Sequence, residues 1–354
     1  MRSGRRCRPA RRAPCWGCPI TADNPVLAEV VRCGFTESRH RGCLAALAAD
    51  GSLQLSAGQA DVPMFPRSSN KPLQAVAMIR SGLGLDGRLL ALAAASHSGE
   101  EFHVAGVREI LASAGLTEAA LQCPPDLPLD EQAQHAMIRS GQQPDRVRMN
   151  CSGKHAAMLA TCVAAGWPTA SYTEPDHPLQ VEIRRTIAGL AGEPVAAVAV
   201  DGCGAPLMAI SVAGLARAFR AIVLAEPGTP ERRVADAMRA HPAWTSGTRR
   251  PERALMAAVP GLLLKSGAEG VEGFALADGR AAAFKIDDGA QRARTPVTVA
   301  LLRELGVADL PGTDLSGLSA LASSPVCGGG QVVGEVRAVL LVTRTVTAGD
   351  GAGR

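Results

Sequence analysis

The sequence predicts a fold that combines β-strands with α-helices, an α/β fold of the α+β kind. Two strand-type segments, Pro25–Val31 and Leu44–Ala49, come early in the chain. A hairpin pattern comes late, with Gly273–Leu276 and Ala281–Ile286 on either side of the turn residues Asp278-Gly279. Most of the chain between them has the apolar spacing of amphipathic helices. With 354 residues, 47% of them apolar, the chain suggests one large or two modest domains with a substantial core.

The predicted elements follow from periodicity and from the turn residues between them. The helical segments are Pro72–Ser81, Arg88–Ala95, Phe102–Ala114, a run ending at Ala165, Leu179–Ala191, Pro206–Ala216, Pro230–Arg239 and Pro296–Leu305. The short apolar run Val195–Val200 is typical of a buried strand, and Gly334–Thr343 predicts a last strand. The polar turn Glu37–Gly42 either lines a site or is a solvated loop, and His241–Arg253 is predicted to be a polar loop.

Charge is unevenly distributed along the chain, whose net charge is +4. The arginines that precede the first acidic residue are Arg2, Arg5, Arg6, Arg8, Arg11 and Arg12. The remainder of the chain is slightly acidic, so nucleic-acid binding is not expected. No apolar run reaches the roughly 18 residues that a membrane helix needs, so no membrane partner is expected.

Residues 1–22 are rich in arginine and proline, and we interpret them as a disordered basic leader. A nucleic-acid arm, a targeting peptide and a zinc half-site at Cys15-x-x-Cys18 are the functional alternatives. The ten cysteines are scattered through a long chain, and no signal peptide is visible. This pattern favours a reducing cytoplasm over a disulfide-bonded secreted protein.

The segment Arg67-Ser68-Ser69-Asn70-Lys71 has the Ser-x-x-Lys arrangement of serine acyl-transfer enzymes. A serine hydroxyl is a weak nucleophile and needs a neighbouring base. A lysine can be that base when burial or a nearby cation lowers its pKa. Because Pro72 fits only the first turn of a helix, Ser68 and Lys71 should lie at the N-terminal edge of Pro72–Ser81, where free amides favour a developing oxyanion.

Two further segments could complete an acyl-transfer site. Lys265-Ser266-Gly267 resembles the Lys-Thr-Gly strand of serine β-lactamases and penicillin-binding proteins. In the loop Ser96-His97-Ser98-Gly99-Glu100, Ser96 or Ser98 could stand where those enzymes place a middle serine, although the loop by itself is better explained as a helix cap with its glutamate. The sequence has no Ser-Asp-Asn triplet, which disfavours ordinary β-lactam chemistry.

The cysteines suggest a metal site. Cys151 and Lys154 are three residues apart at a predicted helix start, and Cys203 lies in a glycine-rich turn after an apolar run. Thiolates suit zinc, and a third ligand would be His155 or the neutral amine of Lys154. Two buried structural cysteines are the alternative.

Six motifs occur in one order along the chain. They are Glu37-Ser38-Arg39-His40-Arg41-Gly42, Arg67-Ser68-Ser69-Asn70-Lys71-Pro72-Leu73-Gln74-Ala75, Ser96-His97-Ser98-Gly99-Glu100, Asn150-Cys151-Ser152-Gly153-Lys154-His155, Asp201-Gly202-Cys203-Gly204-Ala205-Pro206 and Lys265-Ser266-Gly267-Ala268-Glu269-Gly270. Together they resemble the Rhizobium etli-type L-asparaginases of the asparaginase II family, from about Asn24 to Thr345.

The resemblance implies a fold similar to serine β-lactamases and penicillin-binding proteins, with an antiparallel sheet flanked by helices and a helical subdomain. It implies a catalytic domain of two subdomains over residues 23–346, followed by a flexible tail over 347–354. The implied reaction converts L-asparagine to L-aspartate and ammonia. The implied protein is a cytoplasmic homodimer.

The resemblance also implies roles for individual residues. Ser68 would be the nucleophile and Lys71 its base, and a second Ser–Lys pair would join Lys265 to Ser98, preferred here to Ser96. Zinc would be held by Cys151, Lys154 and Cys203. The residues assigned to substrate binding are Arg67, Gly153, His155 and Asp201.

Two other functions are compatible with parts of this pattern. One is a penicillin-recognising serine acyl hydrolase, which the missing Ser-Asp-Asn triplet and the cysteine motifs disfavour. The other is a non-enzymatic zinc-binding protein, which would leave Ser68, Lys71 and Lys265 without a purpose.

Overall fold

A computed structural model describes residues 24–340 and 343–344, so the predicted leader over 1–22 and tail over 347–354 lie outside the described residues. The strands are β1 Val26–Arg32, β2 Phe35–Leu47, β3 Leu53–Ala57, β4 Pro63–Met64, β5 Ala197–Val200, β6 Pro206–Ser211, β7 Leu263–Ser266, β8 Val271–Ala275, β9 Ala281–Ile286, β10 Ser323–Gly328, β11 Gln331–Ala338 and β12 Thr343–Arg344. The helices are α1 Lys71–Arg80, α2 Gly87–Ala93, α3 Glu101–Ser113, α4 Glu131–Arg139, α5 Ser152–Ala164, α6 Pro178–Ala191, α7 Val212–Leu224, α8 Pro230–Ala240, α9 Pro242–Thr245, α10 Pro251–Ala258, α11 Arg294–Glu304 and α12 Leu315–Leu321.

The main sheet is antiparallel and runs in the order β10-β11-β1-β2-β9-β8-β7. The strand β3 also pairs with β2, and β12 pairs with β3. A small second sheet has the order β4-β6-β5. The sheet therefore joins strands from the beginning and the end of the described chain, while most helices come from the sequence between them.

Both faces of the main sheet pack against helices, as the side chains of β2 illustrate. Cys43, Ala45 and Leu47 point into the core formed with α1, α2, α3, α5, α6, α7 and α8. Leu44 and Ala46 point into the opposite core, formed with α10, α11 and α12. The period of two along a strand explains this division. The predicted fold class, an antiparallel sheet flanked by helices with a helical region, is confirmed.

The polar segment Glu37–Gly42 was expected to be a turn, and the structure corrects this. The turn is at Cys33-Gly34, where both residues have positive φ, and β2 begins at Phe35. The polar residues belong to the strand, where they pair with β1, as in Ala28↔His40. Their alternating exposure places the charged side chains on a solvated edge, which made a strand resemble a loop.

Two other expectations needed correction. Pro206–Ala216 was predicted to be helical, but it contains the buried strand β6 before α7 begins. Pro206 is tolerated as the first residue of this strand, and Ser211 caps α7 by accepting a hydrogen bond from the Gly214 amide at 2.9 Å. The strand expected over Val195–Val200 forms as β5, but it lies at the edge of its sheet and is largely exposed.

Within the described part of the chain, every helix is too short or too polar to cross a membrane. The helix α1 begins beside the carboxyl end of β7, where the sheet and the helical region meet.

Candidate active site

Ser68 and Lys71 lie at the start of α1. Residues Arg67–Asn70 form a 3-10 turn, and the Lys71 amide closes it by donating to the Ser68 carbonyl. In this type of turn, side chains three residues apart are eclipsed, which places Ser68 and Lys71 on one side. Pro72 follows in the first turn of α1, where its missing amide proton is not needed. The predicted placement at the helix edge is confirmed.

The side chain of Lys71 is almost completely buried. Its Nζ hydrogen-bonds with the Ala95 carbonyl at 2.6 Å, with Ser96 Oγ at 3.0 Å and with Cys151 Sγ at 3.1 Å. Three acceptors match the three donors of an ammonium group. This lysine therefore connects the turn that carries Ser68, the loop after α2 and the start of α5.

Ser96 lies between two lysines, because Lys265 Nζ also lies 3.0 Å from its Oγ. Ser98, the residue preferred from sequence, is elsewhere: its hydroxyl donates to the Ser246 carbonyl at 2.9 Å. Between Ser96 and Ser98 the loop is anchored by the His97 amide, which donates to the Asn150 carbonyl. The structure thus brings Ser96, and not Ser98, to the two lysines.

Lys265 sits on β7, and only 2% of it is exposed. Burial lowers the pKa of Lys265 well below its ordinary value, and the neighbouring Lys71 charge lowers it further. Its Nζ lies 2.7 Å from the Ser266 carbonyl, so the contacts to Ser96 and Ser266 use only two positions around the nitrogen. A neutral amine with a free lone pair fits this environment.

A buried acid that supports Lys265 was not predicted from the sequence. Glu252 accepts a hydrogen bond from Ser266 Oγ at 2.7 Å and pairs with Arg294 at 3.0 Å. Arg294 also donates to the Gly267 carbonyl at 3.3 Å. Although burial opposes ionisation, the charges of Arg294 and Arg250 lower the pKa of Glu252 to about 2. This charged network anchors the backbone on which Lys265 is mounted.

Cys151, Lys154 and Cys203, the residues that the family resemblance assigns to zinc, form one buried cluster. Cys151 and Lys154 are one turn apart at the start of α5, and Cys203 comes from the turn after β5. Lys154 Nζ lies 3.1 Å from Cys203 Sγ. A hydrogen bond with Cys151 and the nearby Lys154 charge lower the pKa of Cys203. Cys203 is therefore the sulfur on which a thiolate is favoured.

His155 stands behind this cluster. Its Nδ1 lies 2.7 Å from the Tyr172 hydroxyl, and its Nε2 is buried without a hydrogen-bond partner among the described residues. Burial lowers the pKa of His155, so the ring is neutral. Gly153 does not face the cluster: a Cβ atom there would lie 2.6 Å from the Leu92 carbonyl oxygen, so glycine permits close helix packing. The substrate role predicted for Gly153 gains no support.

Arg67 lies at the mouth of the site, next to Ser68. Its Nε donates to Asp201 Oδ1 at 2.8 Å, and its Nη1 lies 3.8 Å from Glu269 Oε1. Its backbone has a φ of +52°, a conformation that costs of order 1–3 kcal/mol outside glycine. Two residues assigned to substrate binding, Arg67 and Asp201, are thus brought together, while Glu269 was not predicted to belong to the site.

The assembled site combines a serine at a helix start with two buried lysines that share a second serine. A cluster of two thiols and a third lysine adjoins it through the contact between Lys71 and Cys151. Such a site can perform nucleophilic acyl transfer, because it has a nucleophile, amine bases and positive charge near the reacting carbonyl. In the stretch that the structure describes, no three His, Cys, Asp or Glu side chains form a complete metal site.

Comparison with known families agrees with this chemistry. The sequence profile of the L-asparaginase II family matches residues 28–338. The match covers most of the chain, and the chain therefore belongs to the L-asparaginase II family.

Several solved structures are similar to the chain. The native form of Mglu is 16% identical, with a TM-score of 0.43, over 78% of this chain and 65% of Mglu. A beta-lactamase-like protein of Bacteroides dorei is 14% identical, with a TM-score of 0.39, over 71% of this chain and 86% of that one. Bacillus glutaminase is 14% identical, with a TM-score of 0.32, over 71% and 84% of the two chains. The chain thus spans less than two thirds of the length of Mglu. Among curated protein sequences, no significant match was found.

Proposed function

We propose that the protein hydrolyses L-asparagine to L-aspartate and ammonia through a covalent intermediate on Ser68, in the manner of the Rhizobium etli-type enzymes. The observation that carries this proposal is the position of Ser96 between the buried lysines Lys71 and Lys265, at 3.0 Å from each. Burial of two lysines against one hydroxyl costs free energy, because a buried ammonium group loses its hydration. A role in acid–base catalysis accounts for this cost.

The first step is attack of Ser68 Oγ on the side-chain amide carbon, with transfer of the hydroxyl proton to Lys71. Partial positive charge at the start of α1 stabilises the oxyanion of the tetrahedral intermediate. The amide nitrogen takes a proton and leaves as ammonia. Water then hydrolyses the β-aspartyl ester and restores Ser68.

Lys71 can accept a proton only after it has lost one. The geometry supports a relay in which Lys71 donates to Ser96 Oγ while the Ser96 hydroxyl proton moves to Lys265. Lys265 is available as the acceptor because burial and the Lys71 charge lower its pKa and so favour the unprotonated amine. Two amines in different environments thus divide the roles of proton donor and proton acceptor.

The substrate backbone requires partners for two opposite charges. Arg67 suits the α-carboxylate, because a guanidinium binds a carboxylate through two parallel hydrogen bonds. Asp201 holds that guanidinium at 2.8 Å and so orients it. His155 is completely buried behind Cys203, so we assign it to support of the thiol cluster instead of substrate contact.

The thiol cluster fits a zinc ion, with Cys151, Cys203 and Lys154 as the residues that would hold it. Lys154 Nζ lies 3.1 Å from Cys203 Sγ inside a buried cluster, so donor atoms from two different elements are already held together, and this supports the assignment. Two sulfur donors suit zinc, and a cation would displace the proton of the Lys154 amine. Bound zinc would fix the two thiolates and add positive charge beside the reacting carbonyl.

Zinc binding has a direct measurement. We expect purified protein to contain about one zinc ion per chain by elemental mass spectrometry, and the Cys203→Ser variant to lose at least about 10-fold in zinc affinity. Cys162→Ser is the matched control, because Cys162 is a buried cysteine of α5 outside the cluster. Equal zinc content in both variants would contradict the assignment.

The two candidate serines of the loop can be separated by parallel substitutions. We expect Ser96→Ala to reduce kcat about 10²- to 10⁴-fold, because the proton relay between the lysines is broken. Ser98→Ala should keep kcat within about 10-fold and lower stability by about 1 kcal/mol, since it removes one buried hydrogen bond to Ser246. Steady-state kinetics and urea unfolding on both variants test this, and the reverse order of kcat effects would restore Ser98 to the site.

The activity itself is tested by ammonia release from L-asparagine, with L-glutamine and nitrocefin as comparison substrates. Turnover of L-asparagine supports the proposal, whereas nitrocefin hydrolysis would favour the penicillin-recognising alternative. Stoichiometric zinc without turnover of any amide would favour the non-enzymatic alternative. The homodimer and the cytoplasmic location implied by the family resemblance stay predictions.

A further inference from the structure

The loop between β7 and β8 lies against the turn that carries Ser68. Gly267 has no room for a side chain, because a Cβ atom there would lie 2.5 Å from the Pro66 carbonyl oxygen and 3.2 Å from the Ser69 amide nitrogen. The backbone of the loop therefore touches the nucleophile turn directly. Glu269, two residues further on, is held at the mouth of the site.

Glu269 has a backbone φ of +60°, which is unfavourable for a side chain with a Cβ atom. Among the described residues, the non-glycine positions with positive φ are Cys33, Arg67 and Glu269. Cys33 belongs to the β1–β2 hairpin turn, whereas Arg67 and Glu269 face each other with their charged ends 3.8 Å apart. Strained backbone of this kind concentrates where ligands bind.

The pair between Glu269 and Arg67 does not itself explain this strain. The Glu269 side chain is 60% exposed, and ion pairs of exposed groups contribute little to stability. The loop is fixed instead through its backbone, where Lys285 Nζ donates to the Glu269 carbonyl at 2.6 Å. The carboxylate is therefore presented to the site mouth and is available to a ligand.

The charges at the mouth match those of an α-amino acid. Arg67 lies between the carboxylates of Asp201 and Glu269, at 2.8 Å and 3.8 Å respectively. An α-amino-acid amide brings a carboxylate, which a guanidinium can bind, and an ammonium group, which needs a carboxylate. Both oxygens of Asp201 already have partners, since Oδ1 accepts from Arg67 and from the Gly202 amide and Oδ2 accepts from Cys203 Sγ at 3.8 Å. Glu269 is therefore the carboxylate left for the ammonium group.

We propose that Glu269 is a specificity-determining residue that accepts a hydrogen bond from the α-ammonium group of the substrate. This inference rests on the proposed function in one respect, because the ligand is taken to be the amide that Ser68 attacks. It makes the enzyme select amides that carry a free α-amino group over amides of the same length that lack one. Arg67 takes the carboxylate in both cases.

The test compares L-asparagine with succinamic acid, which has the same amide and carboxylate without the α-amino group. Glu269→Gln keeps the size of the side chain and removes its charge. We expect kcat/KM for L-asparagine to fall about 10-fold, mainly through KM, while kcat/KM for succinamic acid stays unchanged. An equal fall with both substrates would mean that Glu269 only shapes the loop.

A second variant and a binding measurement separate the loss of the Glu269 carboxylate from changes in loop geometry and from turnover. Glu269→Gly accepts the positive φ without strain, and it should show the same loss confined to L-asparagine. Calorimetric binding of L-aspartate and succinate should show about 10-fold weaker L-aspartate binding to Glu269→Gln, with succinate unaffected. Selective weakening of L-aspartate in a protein that hydrolyses no amide would uphold the inference while overturning the proposed function. Unchanged L-aspartate binding would overturn the inference.

Discussion

Replacement of Ser68 by alanine is expected to reduce ammonia release from L-asparagine by about 10⁴-fold or more. The variant keeps the helix start and the lysines but has no atom that can form the acyl bond. Residual turnover would come from the positioned charges and an attacking water alone. Steady-state ammonia release, with a circular dichroism spectrum to establish folding, measures this effect.

Ser69→Ala is the matched control for that substitution. The Ser69 hydroxyl donates to the Pro66 carbonyl at 2.6 Å within the same turn, so its loss should affect stability more than catalysis. We expect kcat within about 10-fold of the parent for this variant. Full activity in Ser68→Ala would remove the nucleophile assignment, and loss of activity in Ser69→Ala alone would transfer it to the neighbouring serine.

Replacement of Lys265 by methionine should lower kcat/KM by about 10²- to 10⁴-fold, because the relay then lacks its proton acceptor. The pH dependence carries more information. Lys265 accepts a proton only as a neutral amine, so activity of the parent enzyme should fall as the pH falls through the pKa of this residue. Because that pKa is lowered, the acid limb should lie well below the range of an exposed lysine.

Lys265→Arg separates proton transfer from positive charge. Arginine keeps the charge but does not deprotonate in proteins, so this variant should be as impaired as Lys265→Met. Profiles of kcat/KM against pH for both variants should no longer show the acid limb at its original position. Substantial activity in Lys265→Arg would mean that Lys265 acts by its charge, and an unchanged acid limb would assign the titration to another group.

Residues whose spacing reflects local geometry were predictable from the sequence. The start of α1 was placed correctly because Pro72 restricts what can precede it, and the hairpin of β8 and β9 was placed by Asp278-Gly279. The polar half of β2 was missed because its partners lie in β1 and its polar residues face solvent. Propensity describes single residues, whereas strand pairing depends on residues distant in sequence.

The residues of the candidate site divide in the same way, into those that local motifs indicate and those that depend on contacts distant in sequence. Ser68, Lys71 and Lys265 could be chosen as candidates from the sequence because their motifs are short and chemically restrictive. The choice between Ser96 and Ser98 depends on the direction of one loop, which is set by contacts with Asn150 and Ser246 far along the chain. Glu252 lay in a predicted polar loop, and nothing in its neighbourhood indicated that it would be buried against Ser266.

The pairing of β1 with β11 has a consequence for how the protein is made. The central strands β1 and β2 can pair fully only after β9 and β11 have been synthesised late in the chain, and the intervening helices also make long-range contacts, as α1 does with α6 and α2 with α8. High contact order of this kind slows folding, and β1 and β2 expose unpaired edges in the meantime. We expect a long-lived, aggregation-prone intermediate during synthesis, so that yield in a heterologous host should depend on temperature and chaperones more than on the final stability.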